Sequence, residues 1–211
     1  MTEAQDIRFY AGIGSRETPA DVLNLMERLG WKFSIEGFGL RSGGAQGADS
    51  AFAKGAIDAT ELHDGQRPVI FEPWEGFAPR EQQHYTVCHI NQQAYNVAAE
   101  HHPAWFGLSQ GAKKLHARNS QQVFGLWPQL HPIPVSFVIC WTHDAKGGGG
   151  TGQAIRMAKD AGIAVFDLAD AATRKRLETW ADAPSSLEDE WAKQSETEIR
   201  AELAVPQHLV W

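Results

Sequence analysis

The sequence predicts an α/β fold in which a mostly parallel, doubly wound sheet is covered on both faces by helices. Three observations lead there. Short apolar runs recur without the polar alternation of a one-sided sheet, as strands buried on both faces do. Stretches with three- and four-residue apolar spacing separate them, giving a strand, helix, strand order whose crossovers are right-handed. Glycine-rich turns stand where three of the strands pass into helices.

Taken in order, the first strand is expected at residues 8–13. Pro19 suits the first turn of the helix that follows, in which Val22, Leu25, Met26, Leu29 and Phe33 form one apolar stripe. A second strand is expected at 39–42, a helix at 48–59 and a third strand at 68–71. The section 73–134 is rich in His, Gln, Trp and Asn and too long for a simple connection. It is expected to insert two helices, near 80–100 and 109–124, over one face or one edge of the sheet. The most apolar strand, 135–141, then leads to a helix at 154–161 and a fifth strand at 163–168. From 183 the chain is charged and helix-prone, with Leu187, Trp191 and Ile199 as anchors of a docking appendage. The organisation expected is one domain over 1–182, carrying the helical insertion 73–134, and a helical C-terminal tail over 183–211. No internal repeat interrupts this order.

With 211 residues, 43% hydrophobic and 21% charged, the chain is long enough for one sizeable core and far from disordered compositions. A net charge of −7 argues against a surface-wide attraction for nucleic-acid backbone, although a local basic groove stays open. Cys88 and Cys140 lack paired spacing and are read as buried reduced thiols. There is no basic-then-apolar leader and no apolar run near the ~18 residues a span requires, so the cytoplasm is expected and no membrane partner.

Three turns carry the candidate chemistry. In Tyr10-Ala-Gly-Ile-Gly-Ser-Arg16, Gly12 and Gly14 allow a tight turn close to a ligand, and Ser15 with the free amides ahead of a helix can hold an anion. Taken alone, a plain turn explains these residues as well, because the full dinucleotide spacing is missing. Leu40-Arg-Ser-Gly-Gly-Ala-Gln-Gly-Ala-Asp49 is a stronger signal: Ser42, Gly43, Gly44, Ala45 and Gly47 let phosphate or ribose approach the backbone. Asp49 either accepts a ribose hydroxyl there or caps the helix. In Thr142-His-Asp-Ala-Lys-Gly-Gly-Gly-Gly-Thr-Gly152, Gly148, Gly149, Gly150, Thr151 and Gly152 form an amide-rich loop ahead of a helix, a setting for phosphate or else a flexible linker. No Lys-Ser/Thr pair follows the last glycine, so it is not a Walker loop. In a parallel sheet these turns share the carboxyl edge, where ligands bind at the switch point.

The blocks Gly-Ile-Gly-Ser-Arg16, Ser42-Gly-Gly-Ala-Gln-Gly-Ala-Asp49, Ala117-Arg-Asn119 and Gly149-Gly-Thr-Gly-Gln-Ala-Ile-Arg-Met-Ala158 resemble, in order and spacing, those of the DprA/Smf and LOG-like superfamily, SLOG. The resemblance covers about residues 8–168. It implies a Rossmann-like, three-layer nucleotide-binding domain, commonly a homodimer, with phosphate and ribose held by these loops and by Arg118 and Asn119. It brings no metal and no further cofactor.

Two departures bear on activity. In the phosphoribohydrolase branch a catalytic glutamate stands where this chain has Ala154, and Gln153 cannot replace a carboxylate that carries proton and charge. That leaves Glu72, Glu75 and Asp49 as candidates for acid–base work in a nucleotide N-glycosidase, against solvated loop roles for the first two. The DprA-like branch binds single-stranded DNA in a basic pocket, for which Arg16, Arg41, Lys113, Lys114, Arg118 and Lys146 are available, but the negative net charge fits a short oligonucleotide or free nucleotide better. Trp74 is either a stacking platform for a base or a packing anchor. His84, His89, His101, His102, His116, His131 and His143 show no ligand spacing, so no metal site is expected.

Overall fold

The computed structural model describes residues 8–62, 66–77, 85–126, 132–143, 145, 147 and 149–185. Six strands form one sheet in the order β4-β3-β2-β1-β5-β6. They are β1 (Arg8–Gly12), β2 (Phe38–Ser42), β3 (Val69–Glu72), β4 (Thr86–His89), β5 (Phe137–Cys140) and β6 (Ala164–Asp167). Every pairing is parallel, for example Tyr10 with Leu40 and with Phe137. The order grows outward from β1 in one direction, then restarts at β5 in the other, so the switch point lies between β1 and β5.

Strand alternation sorts side chains between two layers of helices. Tyr10, Phe137 and Ile139 point into the layer formed by α1 (Ala20–Ile35), α2 (Ala48–Leu62) and α6 (Ala171–Ala181). Here Tyr10 lies 4.9 Å from Phe33 between ring centroids, and Phe33 lies 4.4 Å from Trp180 of α6. Ala11, Val138 and Cys140 point the other way, with Val123 of α4 (Gln110–Phe124) and Ala154, Met157 and Ala158 of α5 (Gly149–Asp160). Helix α3 (Gln92–Glu100) packs outside α4, and a single 3-10 turn, Trp105–Gly107, joins them. No helix among the described residues is long and apolar enough to cross a membrane.

The structure corrects four elements. Where a helix over 80–100 was expected, Thr86–His89 is an edge strand paired with β3, and the helix begins only at Gln92. Thr86 and Val87 are β-branched, and Asn91 ends the strand by accepting from the Ala94 amide at 2.9 Å as an N-cap. Helix α5 starts at Gly149, five residues before the expected boundary, so the glycine run is partly its first turn. Helix α6 was not expected; Asp170 caps it by accepting from the Thr173 amide at 2.7 Å, and Trp180 supplies its packing. Cys140 is buried as expected, but Cys88 on the edge strand is only half-buried, and burial pushes its thiol up to about 11. Residues 186–211, including Leu187, Trp191 and Ile199, lie outside the described residues, as do His84 and His131.

Helices α1 and α2 approach so closely that two glycines are obligatory at their contact. A Cβ on Gly55 would overlap the Glu27 carbonyl, and one on Gly30 would overlap the Phe52 carbonyl. Alanine is favoured over glycine inside a helix by ~1 kcal/mol, whereas overpacking costs ~1–3 kcal/mol or more. Gly55→Ala is therefore expected to lower Tm, by about 2–4 °C per kcal/mol lost. Gly111→Ala, where an added Cβ meets open space, is expected to leave Tm unchanged or raise it slightly; thermal unfolding of the two variants checks the sign.

Candidate functional site

The turn after β1 is built against its neighbours. The Ile13 amide donates to Ile139 of β5 at 3.1 Å, holding the chain in the sheet one residue beyond the strand. A Cβ on Gly14 would stand 2.7 Å from the Ala48 Cβ and 3.3 Å from the Trp141 amide. The Ser15 hydroxyl accepts from the Glu17 amide at 3.0 Å, and the Ser15 carbonyl accepts from Thr18 Oγ1 at 2.8 Å. That same carbonyl receives the Ala48 amide, at 3.4 Å, so the first and second turns are joined by a backbone bond. Deeper in, the Ser42 hydroxyl donates to the Gly12 carbonyl at 2.7 Å, tying the ends of β1 and β2.

The second turn is fixed from across the edge by α4. Arg118 donates to the Gly43 carbonyl at 3.0 Å and to Asn119 Oδ1 at 3.3 Å, and lies 3.7 Å from Asp49 Oδ2. Gly43 has no room for a side chain, because a Cβ would come within 2.5 Å of the guanidinium. Asp49, in the first turn of α2, accepts from the Ala45 amide at 3.2 Å and so closes the turn ahead of the helix. Burial pushes the Asp49 carboxyl above its ordinary range, against the opposing pull of Arg118, of the Ala45 and Gly43 amides and of Arg16. Burial likewise lowers Arg118, with Asp49 holding it up.

The third turn leaves β5 through Trp141 and Thr142. Thr142 donates to Asp167 of β6 twice, its amide at 3.1 Å to Oδ1 and its hydroxyl to Oδ2. Its hydroxyl also accepts from the Gly147 amide at 3.3 Å. Gly152 packs on the Gly147 carbonyl with no space for a Cβ. Asn119 Nδ2 donates to the Gly150 carbonyl at 3.0 Å, so α4 holds the first turn of α5 as it holds the second loop.

These elements enclose a cavity of about 630 Å³ at the carboxyl edge. Gly14, Ser15, Arg16, Ala45, Asp49, Arg118, Asn119, Gly150 and Thr151 line it. Gly12, Ser42, Gly43, Gly44, Gly47 and Gly152 belong to the turns but do not line it, Gly149 opens α5, and Gly148 and Lys146 lie outside the described residues. Glu72 is buried at the end of β3 and Glu75 is exposed beyond it, neither on the cavity. Trp74 is exposed and meets Phe77 edge-on at 5.0 Å, also off the cavity. Arg41 is buried in the core, its guanidinium 4.1 Å from the Phe9 ring centroid.

Several wall residues were not singled out from the sequence, namely Glu17, Trp141, Ala112 and Leu115; Thr142 opened the third turn without a role of its own, and His116 was weighed only as a metal ligand, with Asp167 and Gln153 now their supports. A signal for the α4 group exists, since 112, 115, 116 and 119 share one helical face at three- and four-residue steps. Among the described residues no group of three or more His, Cys, Asp and Glu is placed to hold a metal ion.

Removing one partner of a buried pair leaves the other charge uncompensated, at ~3–5 kcal/mol. Asp49→Ala is thus expected to destabilise the fold by about 3 kcal/mol in urea unfolding, and Asp49→Ala/Arg118→Leu by clearly less than the sum of the single changes. The pH sign follows from the raised carboxyl. The native state keeps the Asp49 proton after the unfolded state has lost it, so this group's contribution falls as pH rises from the ordinary carboxylate range through its raised value. Comparing stability against pH for Asp49→Asn and the unsubstituted protein is expected to show that slope only in the latter.

No protein-family model matches the chain, and no curated protein sequence matches it. Among solved structures it is similar to DNA processing protein A (DprA) from Streptococcus pneumoniae, with 15% identity and a TM-score of 0.48 over 76% of this chain and 50% of that one. The chain therefore spans half the length of that DprA chain. It is also similar to the Moco carrier protein from Chlamydomonas reinhardtii, with 16% identity and a TM-score of 0.49 over 90% of this chain and 96% of that one. The fold, as its all-parallel pairing and strand order define it, is Rossmann-like, and DprA and the Moco carrier protein stand among its structural neighbours.

Proposed function

We propose that this chain is a SLOG-type protein that binds a phosphate-bearing nucleotide, or a ligand derived from one, in the cavity at the carboxyl edge of the sheet. The observation that carries this proposal is the meeting of Ser15 and Arg16, the first turn of α5 and the Arg118 guanidinium around one cavity at the switch point. The leading amides of α5 have no partner within the helix and carry the positive end of its dipole, which favours a phosphate beside Gly150 and Thr151. Arg16 adds a full charge to the same wall. The volume falls within the ~300–1,000 Å³ usual for small-molecule sites. Trp141, mostly buried with its ring centroid 6.1 Å from that of His143, is the aromatic residue on the lining, where Trp74 is not. Cytoplasmic location and a homodimer belong to the same proposal.

Binding is favoured over N-glycosidic hydrolysis by the carboxylates. Ala154, at the position of the hydrolase glutamate, is buried in the core between α5 and the sheet. Asp49 faces Arg118, and Glu72 and Glu75 stand off the cavity, which leaves Glu17 as the other carboxylate on its wall. Single-stranded DNA is a less favoured ligand for a chain of net charge −7.

Thermal unfolding with a ligand panel tests the proposal. At a hundred times its Kd a nucleoside monophosphate stabilises by ~2.7 kcal/mol, which in a domain of this size raises Tm by about 5–10 °C. The matching nucleoside without phosphate is expected to give a much smaller rise, and Arg16→Ala to weaken the nucleotide about tenfold. If no mononucleotide, cyclic nucleotide or molybdenum cofactor raises Tm, or if Arg16→Ala and Thr151→Ala bind as the unsubstituted protein does, the proposal is wrong. Release of free base that Asp49→Asn abolishes would make the protein a hydrolase. Oligonucleotide affinity falling steeply with salt would point to DNA.

A further inference from the structure

His116 borders the cavity from α4, and the hydrogen bonds behind it decide which of its ring nitrogens carries the proton. Gln153, fully buried, donates from Nε2 to the Ala98 carbonyl at 3.1 Å. A carbonyl can only accept, so the amide nitrogen is fixed there and Gln153 Oε1 must be an acceptor. Asn119 is oriented by the same logic: Arg118, a pure donor, takes its Oδ1, and its Nδ2 donates to the Gly150 carbonyl and approaches Gln153 Oε1 at 3.5 Å. His116 Nδ1 lies 2.6 Å from that same Oε1. It is therefore the donor, which in the neutral ring leaves Nε2 as an acceptor. Burial disfavours the charged ring, and the nearby His102, Arg156 and Arg118 add to that effect, while the Gln153 bond opposes it.

We infer that the Gln153–His116 pair presents a fixed hydrogen-bond acceptor, His116 Nε2, to a donor group of the bound nucleotide, a sugar hydroxyl or a base amine. His116 is thereby a specificity-determining residue, and Gln153 positions it. This rests on the nucleotide-binding proposal and adds a demand to it: the ligand must offer a donor to this wall, whatever sits at the α5 amides.

Long-range proton–nitrogen NMR spectra of the 15N-labelled protein at neutral pH read the tautomer directly, the His116 signal being the one missing from His116→Gln. A neutral ring protonated on Nδ1 is expected, with the Nε2 resonance shifting when adenosine 5′-monophosphate is added. His116→Phe, folded by its unfolding curve, is expected to bind that nucleotide about tenfold more weakly, the ~1.4 kcal/mol of one hydrogen bond. The 2′-deoxy, 3′-deoxy and inosine analogues identify the donor as the one whose loss costs unsubstituted protein affinity but costs His116→Phe nothing further. A ring protonated on Nε2, or doubly protonated, overturns the inference even if nucleotides bind. So does nucleotide binding that leaves Nε2 unshifted and His116→Phe at full affinity. If no nucleotide binds, the parent proposal and this one fall together, while an Nδ1-protonated ring would still uphold the hydrogen-bond assignment behind it.

Discussion

The buried guanidinium of Arg118 is the interaction around which the carboxyl edge is organised. Parallel strands bring their turns to one edge, but that constraint alone leaves each turn hanging from its own strand. Arg118 reaches from α4 to the Gly43 carbonyl, to Asp49 at the start of α2 and to Asn119, which in turn holds Gly150 at the start of α5. One residue thus links two helix N-termini that the chain separates by a hundred residues. The absence of a side chain at Gly43 is the other half of the contact, because a Cβ there would displace the guanidinium.

Such an arrangement is costly in stability. Burial raises Asp49 and lowers Arg118 even though they face each other, so desolvation outweighs their attraction. An apolar pair of similar volume would hold α2 against α4 with less penalty, but it would not place a cation beside a cavity. Buried charge at a site is the pattern expected where a fold keeps an unfavourable feature for a ligand. The bulk of the stability comes from elsewhere, from the aromatic layer of Tyr10, Phe33, Phe137 and Trp180 and the close α1–α2 contact.

Much of this was legible in the chain. Continuous apolar runs such as Phe137–Cys140 marked strands buried on both faces, and the stripe from Val22 to Phe33 marked α1. The glycine turns pointed to the carboxyl edge together rather than singly, because in a parallel sheet the turns that follow the strands share one edge. Less legible was anything whose local preference is weak or contested. Thr86–His89 is four residues long and exposed, so no periodicity separates it from the polar helix that follows, and β3 alone recruits it. Gly149, Gly150 and Gly152 oppose a helix by propensity, yet Asn119 and the tight packing of Gly152 on Gly147 fix one there.

By itself, then, the sequence determined the layers and their direction, since burial on two faces and helical spacing are written in consecutive residues. Only the tertiary structure decided which side chains meet. Trp74 and Glu72 follow β3 yet stand away from the cavity, while His116 and Trp141 border it, because membership of a wall depends on how α4 lies across the sheet. The crossing of a helix over distant strands is set by packing between residues far apart in the chain, and no local pattern records it.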